Sequence, residues 1–170
     1  SKGRNNRGCI TTRHRLRGTK KRYRVVDFSR KSGRNLIGTV QAISYDPNRN
    51  AFLALLFYEN GKKSYIISPR GLRVGSKLFA GTDVPISKGN SLPLSQIPLG
   101  TFVHNIEINP GCGGKLVRAA GTYAQIIASS SSFVTLKLPS SEVRAFRKDC
   151  FATVGQVSNI DSNRITKGKA

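Results

Sequence analysis

The stretch Ala51-Phe52-Leu53-Ala54-Leu55-Leu56-Phe57-Tyr58, followed by Glu59-Asn60-Gly61-Lys62 and Lys63-Ser64-Tyr65-Ile66-Ile67-Ser68, carries the strongest fold signal in the sequence. Two β-prone runs flank an Asn-Gly pair, and both residues of such a pair tolerate the positive φ angles of a tight turn. The stretch therefore predicts a β-hairpin whose turn lies at residues 59–62.

Runs of the same kind continue on both sides of this hairpin. They occupy residues 23–28, 37–45 and 77–80 in the first half of the chain, and 101–108, 122–129, 133–138, 142–147 and 151–157 in the second. The run at 133–138 alternates cleanly, with Val134, Leu136 and Leu138 on one face. Strands of this length and spacing, with few helical stretches, predict a mainly β chain that forms two small barrels in tandem.

A connector rich in turn-forming residues, at 89–100, separates the two sets of runs. We place the domain boundary there, which gives a first barrel at 25–88 and a second at 89–160. Residues 109–121 of the second barrel are predicted to form an irregular loop. Residues 1–24 form a basic arm before the first barrel, and residues 161–170 form a loosely ordered tail.

The net charge is the outlying feature of the composition. The chain of 170 residues has 29 Lys and Arg against 8 Asp and Glu, a formal net charge of +21. With so large an excess of positive charge, the basic side chains repel one another unless a polyanion neutralises them. Nucleic acid is the leading partner on this basis, and an anionic membrane surface is the second.

Several classes of protein are disfavoured. The longest apolar run has eight residues, far fewer than a membrane-spanning helix needs, and no secretory signal pattern opens the sequence. We expect no membrane partner. Three widely spaced cysteines, Cys9, Cys112 and Cys150, argue against a disulfide framework and a Cys-based zinc site. They favour a reducing intracellular compartment.

The arm concentrates the positive charge. Residues 1–24 contain ten basic side chains and no acid before Asp27, and glycines at positions 3, 8 and 18 break any helical period. The ten are Lys2, Arg4, Arg7, Arg13, Arg15, Arg17, Lys20, Lys21, Arg22 and Arg24. Such a composition predicts an extended arm that becomes ordered on a polyanion.

A glycine-rich loop, Pro110-Gly111-Cys112-Gly113-Gly114-Lys115-Leu116, offers a second candidate interface. It is not a nucleoside-triphosphate P-loop, because Asn109 and Leu116 stand where that motif needs Gly and Ser or Thr. What remains is a loop with bare backbone N–H groups beside two cations, Lys115 and Arg118, suited to an RNA sugar–phosphate chain. Two predicted turns present Arg49 and Arg70 in the same way.

Enzyme signals are weak. The two histidines, His14 and His104, have no second ligand at metal spacing, and a structural role is favoured for His104. The eight acids are scattered singly along the chain. Most aromatic residues lie inside strand patterns and are predicted to belong to the core: Phe28, Phe52, Phe57, Phe102 and Phe133. Double-stranded or folded RNA, read by shape and phosphate, fits such a chain better than a base-stacking role.

The ordered motifs of the chain resemble the family of ribosomal protein two of the large subunit. Nine motifs follow one another over residues 2–160, among them Gly3-Arg4-Asn5-Asn6-Arg7-Gly8, Tyr23-Arg24-Val25-Val26-Asp27-Phe28, Tyr45-Asp46-Pro47-Asn48-Arg49, Pro69-Arg70-Gly71-Leu72 and Arg118-Ala119-Ala120-Gly121-Thr122-Tyr123. The resemblance implies an oligonucleotide-binding-type barrel followed by an SH3-like barrel. It also implies a primary rRNA-binding protein that supports large-subunit assembly, subunit association and the peptidyltransferase region.

Three departures from the family pattern stand out. Leu16-Arg17-Gly18-Thr19 replaces a Gly-Gly-Gly-His run, and Cys112 replaces a lysine of the loop. The family's C-terminal stretch with its histidines is not in this sequence, so that role is assigned to no residue here. The motifs around residues 91–100 and 154–157 are closer to plastid members than to mitochondrial ones. We therefore expect an organellar ribosome, chloroplast before mitochondrion, and otherwise a bacterial cytoplasm.

The resemblance and the charge pattern together predict the following RNA contacts: Arg4, Arg7, Arg13, His14, Arg15, Lys20, Lys21, Arg22, Arg49, Arg70, Gly113, Gly114, Lys115, Arg118 and Tyr123. The expected partners are large-subunit rRNA, neighbouring ribosomal proteins and, at an intersubunit bridge, small-subunit rRNA. No cofactor is expected, and any structural Mg²⁺ would belong to the bound rRNA. Two alternatives remain open: a general RNA chaperone or translation regulator, and a nuclease built around His104.

Overall fold

The computed structural model describes residues 3–15 and 18–165. Lys2 and Arg17 of the predicted arm, the departure at Leu16-Arg17 and residues 166–170 of the predicted tail lie outside this range. Within it the structure consists of twelve β-strands and three short 3₁₀ turns, at Lys31–Gly33, Leu94–Gln96 and Ile160–Asn163, without an α-helix.

The predicted hairpin forms strands β2 (Leu53–Tyr58) and β3 (Lys63–Ile67). Strand β1 (Gly38–Ser44) pairs with β2 in antiparallel fashion, and the short β4 (Lys77–Leu78) completes a sheet of order β3-β2-β1-β4. Only Gly61 of the Asn-Gly pair takes a positive φ, of 78°. The loop between the two strands has four residues. A hydrogen bond from the Gly61 N–H to the Tyr58 carbonyl, at 2.9 Å, closes it.

The second half of the chain forms a six-stranded and a two-stranded sheet. The strands are β5 (Ser91–Pro93), β6 (Phe102–His104), β7 (Ile106–Glu107), β8 (Gly114–Leu116), β9 (Ala124–Ser129), β10 (Phe133–Lys137), β11 (Val143–Arg147) and β12 (Phe151–Val154). The larger sheet has the order β11-β10-β9-β6-β12-β5, and β7 pairs with β8. Alternation along β10 is as predicted, because Val134 and Leu136 are completely buried.

Each of the two larger sheets has its own buried core, and a third cluster joins them. Val26, Ala51, Leu53 and Ile67 from the first half pack with Val157 from the second. Backbone bridges Pro69–Val157 and Ala80–Ser91 cross the same boundary. The two halves are therefore tied to each other by shared apolar packing and backbone pairing.

Three predicted segments differ from the structure. Residues 23–28 form no strand: their backbone pairing is a single bridge between Val26 and Tyr65, and Val25 next to it is 79% exposed. The predicted connector contains the buried strand β5, which pairs with β12. The predicted loop at 109–121 contains β8, which forms only because β7 offers a partner across the sheet.

Candidate nucleic-acid interface

The basic arm presents its charged side chains to solvent. Every predicted contact of the arm, from Arg4 to Arg22, is exposed. The first part nevertheless folds on itself: Arg4 and Ile10 form a backbone bridge, and the Asn5 side-chain oxygen accepts the N–H groups of Arg7 and Cys9, both at 3.0 Å. This part of the arm is therefore a compact turn, and the prediction of an extended segment is wrong for residues 4–10.

The ring of Phe28 brings together two predicted contact residues that are far apart in sequence. The guanidinium carbon of Arg118 lies 4.4 Å from the ring centroid of Phe28, and that of Arg49 lies 5.4 Å away. Cation–π attraction of this kind fixes the side chains without neutralising their charge. We call Phe28, Arg49 and Arg118 the Phe28 cluster.

A buried carboxylate positions one arginine of the cluster. Asp46 is completely buried and accepts the Arg49 Nε–H at 2.6 Å and the Asn48 backbone N–H at 2.9 Å. Burial by itself would raise the pKa of Asp46, but these hydrogen bonds and the charge of Arg49 outweigh it and hold the pKa below its usual value. Within residues 3–15 and 18–165 the ion pairs are Arg49–Asp46 and Arg164–Asp161, so Arg118 takes part in none.

The glycine-rich loop is organised by a buried acid. Glu107 is 1% exposed, and its carboxylate accepts three backbone N–H groups, from Gly111 at 3.1 Å, Gly113 at 3.0 Å and Phe151 at 3.1 Å. The prediction that this loop offers bare backbone N–H groups is therefore wrong. Its remaining cation, Lys115, is exposed on β8.

The same loop is tied to the Phe28 cluster through the carbonyl of Phe28. That oxygen accepts the Gly114 N–H and the Asn105 side-chain N–H, each at 3.0 Å. Gly113 passes beside Ser29 with a φ of +77°, where a Cβ would touch the Ser29 side chain at 3.4 Å. Gly113 and Gly114 are buried, so their small size lets the loop approach residues 28–29 closely.

Arg70 and Tyr123 lie at other places on the surface. Arg70 is exposed and lines a groove with Phe52 and Asp161. Tyr123 is 42% exposed and its ring packs against that of Phe102, with ring centroids 4.5 Å apart. The predicted contacts therefore form several surfaces, and the Phe28 cluster with the adjoining loop is the one that brings together several predicted contacts from both halves of the chain.

Two family models match nearly the whole chain. Residues 1–80 match the model described as "Ribosomal Proteins L2, RNA binding N-terminal domain". Residues 87–170 match the model described as "Ribosomal Proteins L2, C-terminal domain". The chain belongs to the ribosomal protein L2 family.

One relative is similar to this L2 family member over almost the full length of the present chain. It is the large ribosomal subunit protein uL2c of the plant Psilotum nudum, a chloroplast protein, and is 56% identical over 169 residues. The alignment covers 99% of this chain and 61% of the relative. The chain thus spans about 61% of the length of that relative. The family and the β architecture confirm the predicted fold class, an oligonucleotide-binding-type barrel followed by an SH3-like barrel.

The prediction for the aromatic residues of this L2 chain is wrong for four of the five. Exposure is 38% for Phe52, 42% for Phe57, 44% for Phe102 and 50% for Phe133. All four lie at or next to strands, but on the outward side of the sheet. Strand periodicity separates two faces of a sheet, and it does not say which of them is covered by the rest of the protein.

His104 has a structural position in this L2 chain. It is completely buried, and Nδ1–H donates to the Gly155 carbonyl at 2.7 Å. Burial lowers the pKa of His104 to about 4, and the nearby charge of Arg30 adds to this effect against the opposing hydrogen bond to Gly155. Among residues 3–15 and 18–165, no three His, Cys, Asp or Glu side chains form a group that could hold a metal ion. The same part of the chain contains no helix that is long and apolar enough to cross a membrane.

The depressed pKa predicts a loss of stability in mild acid. Between pH 6.5 and about 4 the unfolded chain binds a proton at His104 that the folded chain does not. The free energy of unfolding should therefore fall by about 3 kcal/mol as the pH is lowered through this range. Urea unfolding at several pH values measures the slope, and a His104→Gln variant should lack it. The pKa values of Asp27 and Asp46 are lowered, so protonation of these two residues reduces the free energy of unfolding only below the pH range in which His104 does so.

Sequence reasoning missed two residues that build this interface. The strand pattern predicts a core position for Phe28, which does pack against the third cluster, but it does not indicate that the ring also holds two arginines. Glu107 is one of eight acids that are scattered singly along the sequence. The available signal for Glu107 was its place in a strand pattern, two residues after Asn105 and just before a glycine-rich loop. A carboxylate there is consistent with a partner for loop N–H groups, but only the fold shows which ones it accepts.

Proposed function

We propose that this L2 family member is a structural constituent of the large ribosomal subunit that binds large-subunit rRNA. The observation that supports this most directly is the Phe28 cluster. Two guanidinium groups, one from each half of the chain, are held on one ring beside a rigid glycine-rich loop. Arg49 is paired with Asp46, whereas Arg118 lies outside the ion pairs of the described residues. In a chain with a net charge of +21 and an exposed basic arm, a fixed cation such as Arg118 suits a folded polyanion.

The proposed mechanism assigns different tasks to the arm and to the cluster. The exposed arginines and lysines of the arm neutralise phosphates and release counterions, which supplies affinity without sequence preference. Arg49, Arg118 and Lys115 contact phosphates at fixed positions and so set the register of the protein on the RNA. Gly113 and Gly114 belong to this interface because they let the loop lie close to Phe28. The role is structural, with no catalytic step.

The setting of this activity is proposed from the relative and the family resemblance. The similarity to a chloroplast uL2c supports a plastid ribosome as the location. Neighbouring ribosomal proteins and small-subunit rRNA are the further partners that we propose. Support of subunit assembly, subunit association and the peptidyltransferase region completes the proposed role, and Mg²⁺ enters only as part of the bound rRNA.

Binding to plastid large-subunit rRNA and to a shuffled RNA of equal length, compared over a series of salt concentrations, tests this proposal. Affinity that rests on counterion release falls steeply with salt. The native rRNA is expected to keep a large advantage at high salt, where the shuffled RNA dissociates. A parallel decline of both RNAs would contradict the proposal and favour a general RNA chaperone or translation regulator.

A double variant tests the cluster and loop in the same assay. Lys115→Ala with Arg118→Ala should weaken native rRNA binding by about 2–6 kcal/mol, at about 1–3 for each charge-assisted contact. The matched control, Lys62→Ala with Arg73→Ala, removes the same charge at two exposed sites outside the interface. If both double variants bind alike, net charge and not the site explains the affinity. Arg118→Lys separates charge from the planar guanidinium.

A further inference from the structure

The outward face of the second sheet carries a row of side chains fixed by strand register. Phe102 of β6 pairs with Gln125 of β9, Gln125 pairs with Lys137 of β10, and Lys137 pairs with Val143 of β11. Directly paired residues on one face have Cβ atoms about 5 Å apart. An aromatic ring, an amide, an ammonium group and an aliphatic group therefore stand side by side.

A cleft opens beside this row. Its volume is about 320 Å³. Two segments line it, residues 121–125 around Tyr123 and Gln125, and residues 137–141 at the end of β10 and in the β10–β11 turn. This volume is at the small end of the range for ligand sites in proteins. It suits one planar ring with its sugar and excludes a duplex.

The aromatic wall of the cleft is held in place. Tyr123 packs against Phe102 in a tilted arrangement, with an interplanar angle of 52°. The backbone before it is fixed by the Gly121 N–H to the Ser158 carbonyl at 3.0 Å and by the Val157 N–H to the Thr122 carbonyl at 3.1 Å. A wall that is ordered in advance loses little entropy when a ligand binds.

The lining groups have the chemistry that recognises a nucleoside. An exposed aromatic ring stacks on any base, and a glutamine amide can both donate to and accept from a base edge. Gln125 is anchored at 3.4 Å to the Gly100 carbonyl, and the Lys137 ammonium beside it suits a phosphate. Aromatic groups next to basic groups on one sheet face are the pattern of a single-strand binder.

We propose that this cleft binds one unstacked base of a single-stranded RNA segment, with Tyr123 stacking on the base, Gln125 contacting its edge and Lys137 contacting its phosphate. The proposal rests on the proposed rRNA-binding function and deepens it, since it adds a base-stacking site to an interface otherwise built on phosphate contacts. None of the residues that line the cleft belongs to the Phe28 cluster.

A fluorescent RNA tests the site separately from bulk electrostatic binding. The probe is a single-stranded RNA of about eight nucleotides with 2-aminopurine at its centre, titrated with the chain at high salt, where counterion-driven binding is weak. Stacking should quench the fluorophore. Tyr123→Ala should weaken binding about 5- to 150-fold, the measured range for loss of one stacked base, while Tyr123→Phe should keep it. The control Tyr45→Ala removes a tyrosine that is 68% exposed in the first half of the chain.

The outcomes separate this inference from the function on which it rests. Quenching that Tyr123→Ala abolishes and Tyr45→Ala preserves, together with an ultraviolet cross-link from the RNA to Tyr123 or Phe102, supports the cleft. Equal quenching by all variants would overturn the inference, even if native rRNA were still preferred over shuffled RNA. Loss of that preference in the unmodified chain is the failure of the proposed function itself. Thermal unfolding of Tyr123→Ala checks that the variant is folded.

Discussion

Replacing Gly114 with alanine should destabilise the protein by about 2–4 kcal/mol. The added Cβ would clash with the Asn105 side chain and lie 2.5 Å from the Asn105 carbonyl oxygen, so both backbone and side chain would have to move. Overpacking of this kind costs about 1–3 kcal/mol. Displacing Asn105 would also break its hydrogen bond to the Phe28 carbonyl, which adds about 1 kcal/mol. Urea unfolding monitored by circular dichroism measures the difference.

Gly71→Ala is the matched control for this change. Gly71 has a φ of +77° and open space around its Cα. Alanine at this position therefore adds only the strain of a left-handed backbone, about 1 kcal/mol. A Gly114→Ala variant as stable as Gly71→Ala would show that the loop does not need its close approach to Asn105. The argument that the loop and the Phe28 cluster form one rigid unit would then fail.

The second large effect is expected at Glu107. Glu107→Ala removes a buried carboxylate that accepts three backbone N–H groups, and at least the donors of Gly113 and Phe151 would be left without a partner. Each unsatisfied buried group costs about 1–3 kcal/mol, so the free energy of unfolding should drop by about 4 kcal/mol. Hydrogen exchange of the amides of Gly111, Gly113 and Phe151 should accelerate strongly in this variant.

Two further variants separate this role of Glu107 from simple charge. Glu142→Ala removes one exposed acid and should change stability by less than about 0.5 kcal/mol. Glu107→Gln keeps the shape but replaces an acceptor with a donor, and it should therefore lie closer to Glu107→Ala than to the unmodified chain. A stable Glu107→Gln variant with unchanged amide protection would contradict the assigned hydrogen bonds.

The buried and the exposed residues of the interface have different roles. Glu107 and Gly114 are buried and shape the loop, whereas Lys115 is exposed on the same segment. Variants of the buried residues should change stability first and RNA affinity as a consequence. Variants of Lys115 and Arg118 should change RNA affinity with a smaller effect on folding. Measuring both quantities for each variant distinguishes the two groups.

Local signals were sufficient for the fold class and for the basic arm as a candidate interface. The Asn-Gly hairpin, the alternation at 133–138 and the run of arm cations each depend on residues close in sequence. The same rules failed where the partner was distant. Strand β5 lies in a segment with the composition of a connector, and it is a strand because β12 pairs with it. Residues 23–28 have a strand-like sequence, but in the structure their pairing with β3 is limited to the bridge between Val26 and Tyr65.

The sequence alone determined that the chain is mainly β, strongly basic and a member of the L2 family, because charge, periodicity and ordered motifs are properties of the chain itself. The tertiary structure decided which residues meet. Phe28 gathers Arg49 and Arg118, Glu107 uses the N–H groups of the glycine-rich loop, and Phe102 faces solvent beside Tyr123. The contacts of Phe28 with the two arginines, of Glu107 with Phe151 and of Phe102 with Tyr123 join residues that are distant in the sequence, and they depend on which sheet face the rest of the protein covers. No local pattern contains that information.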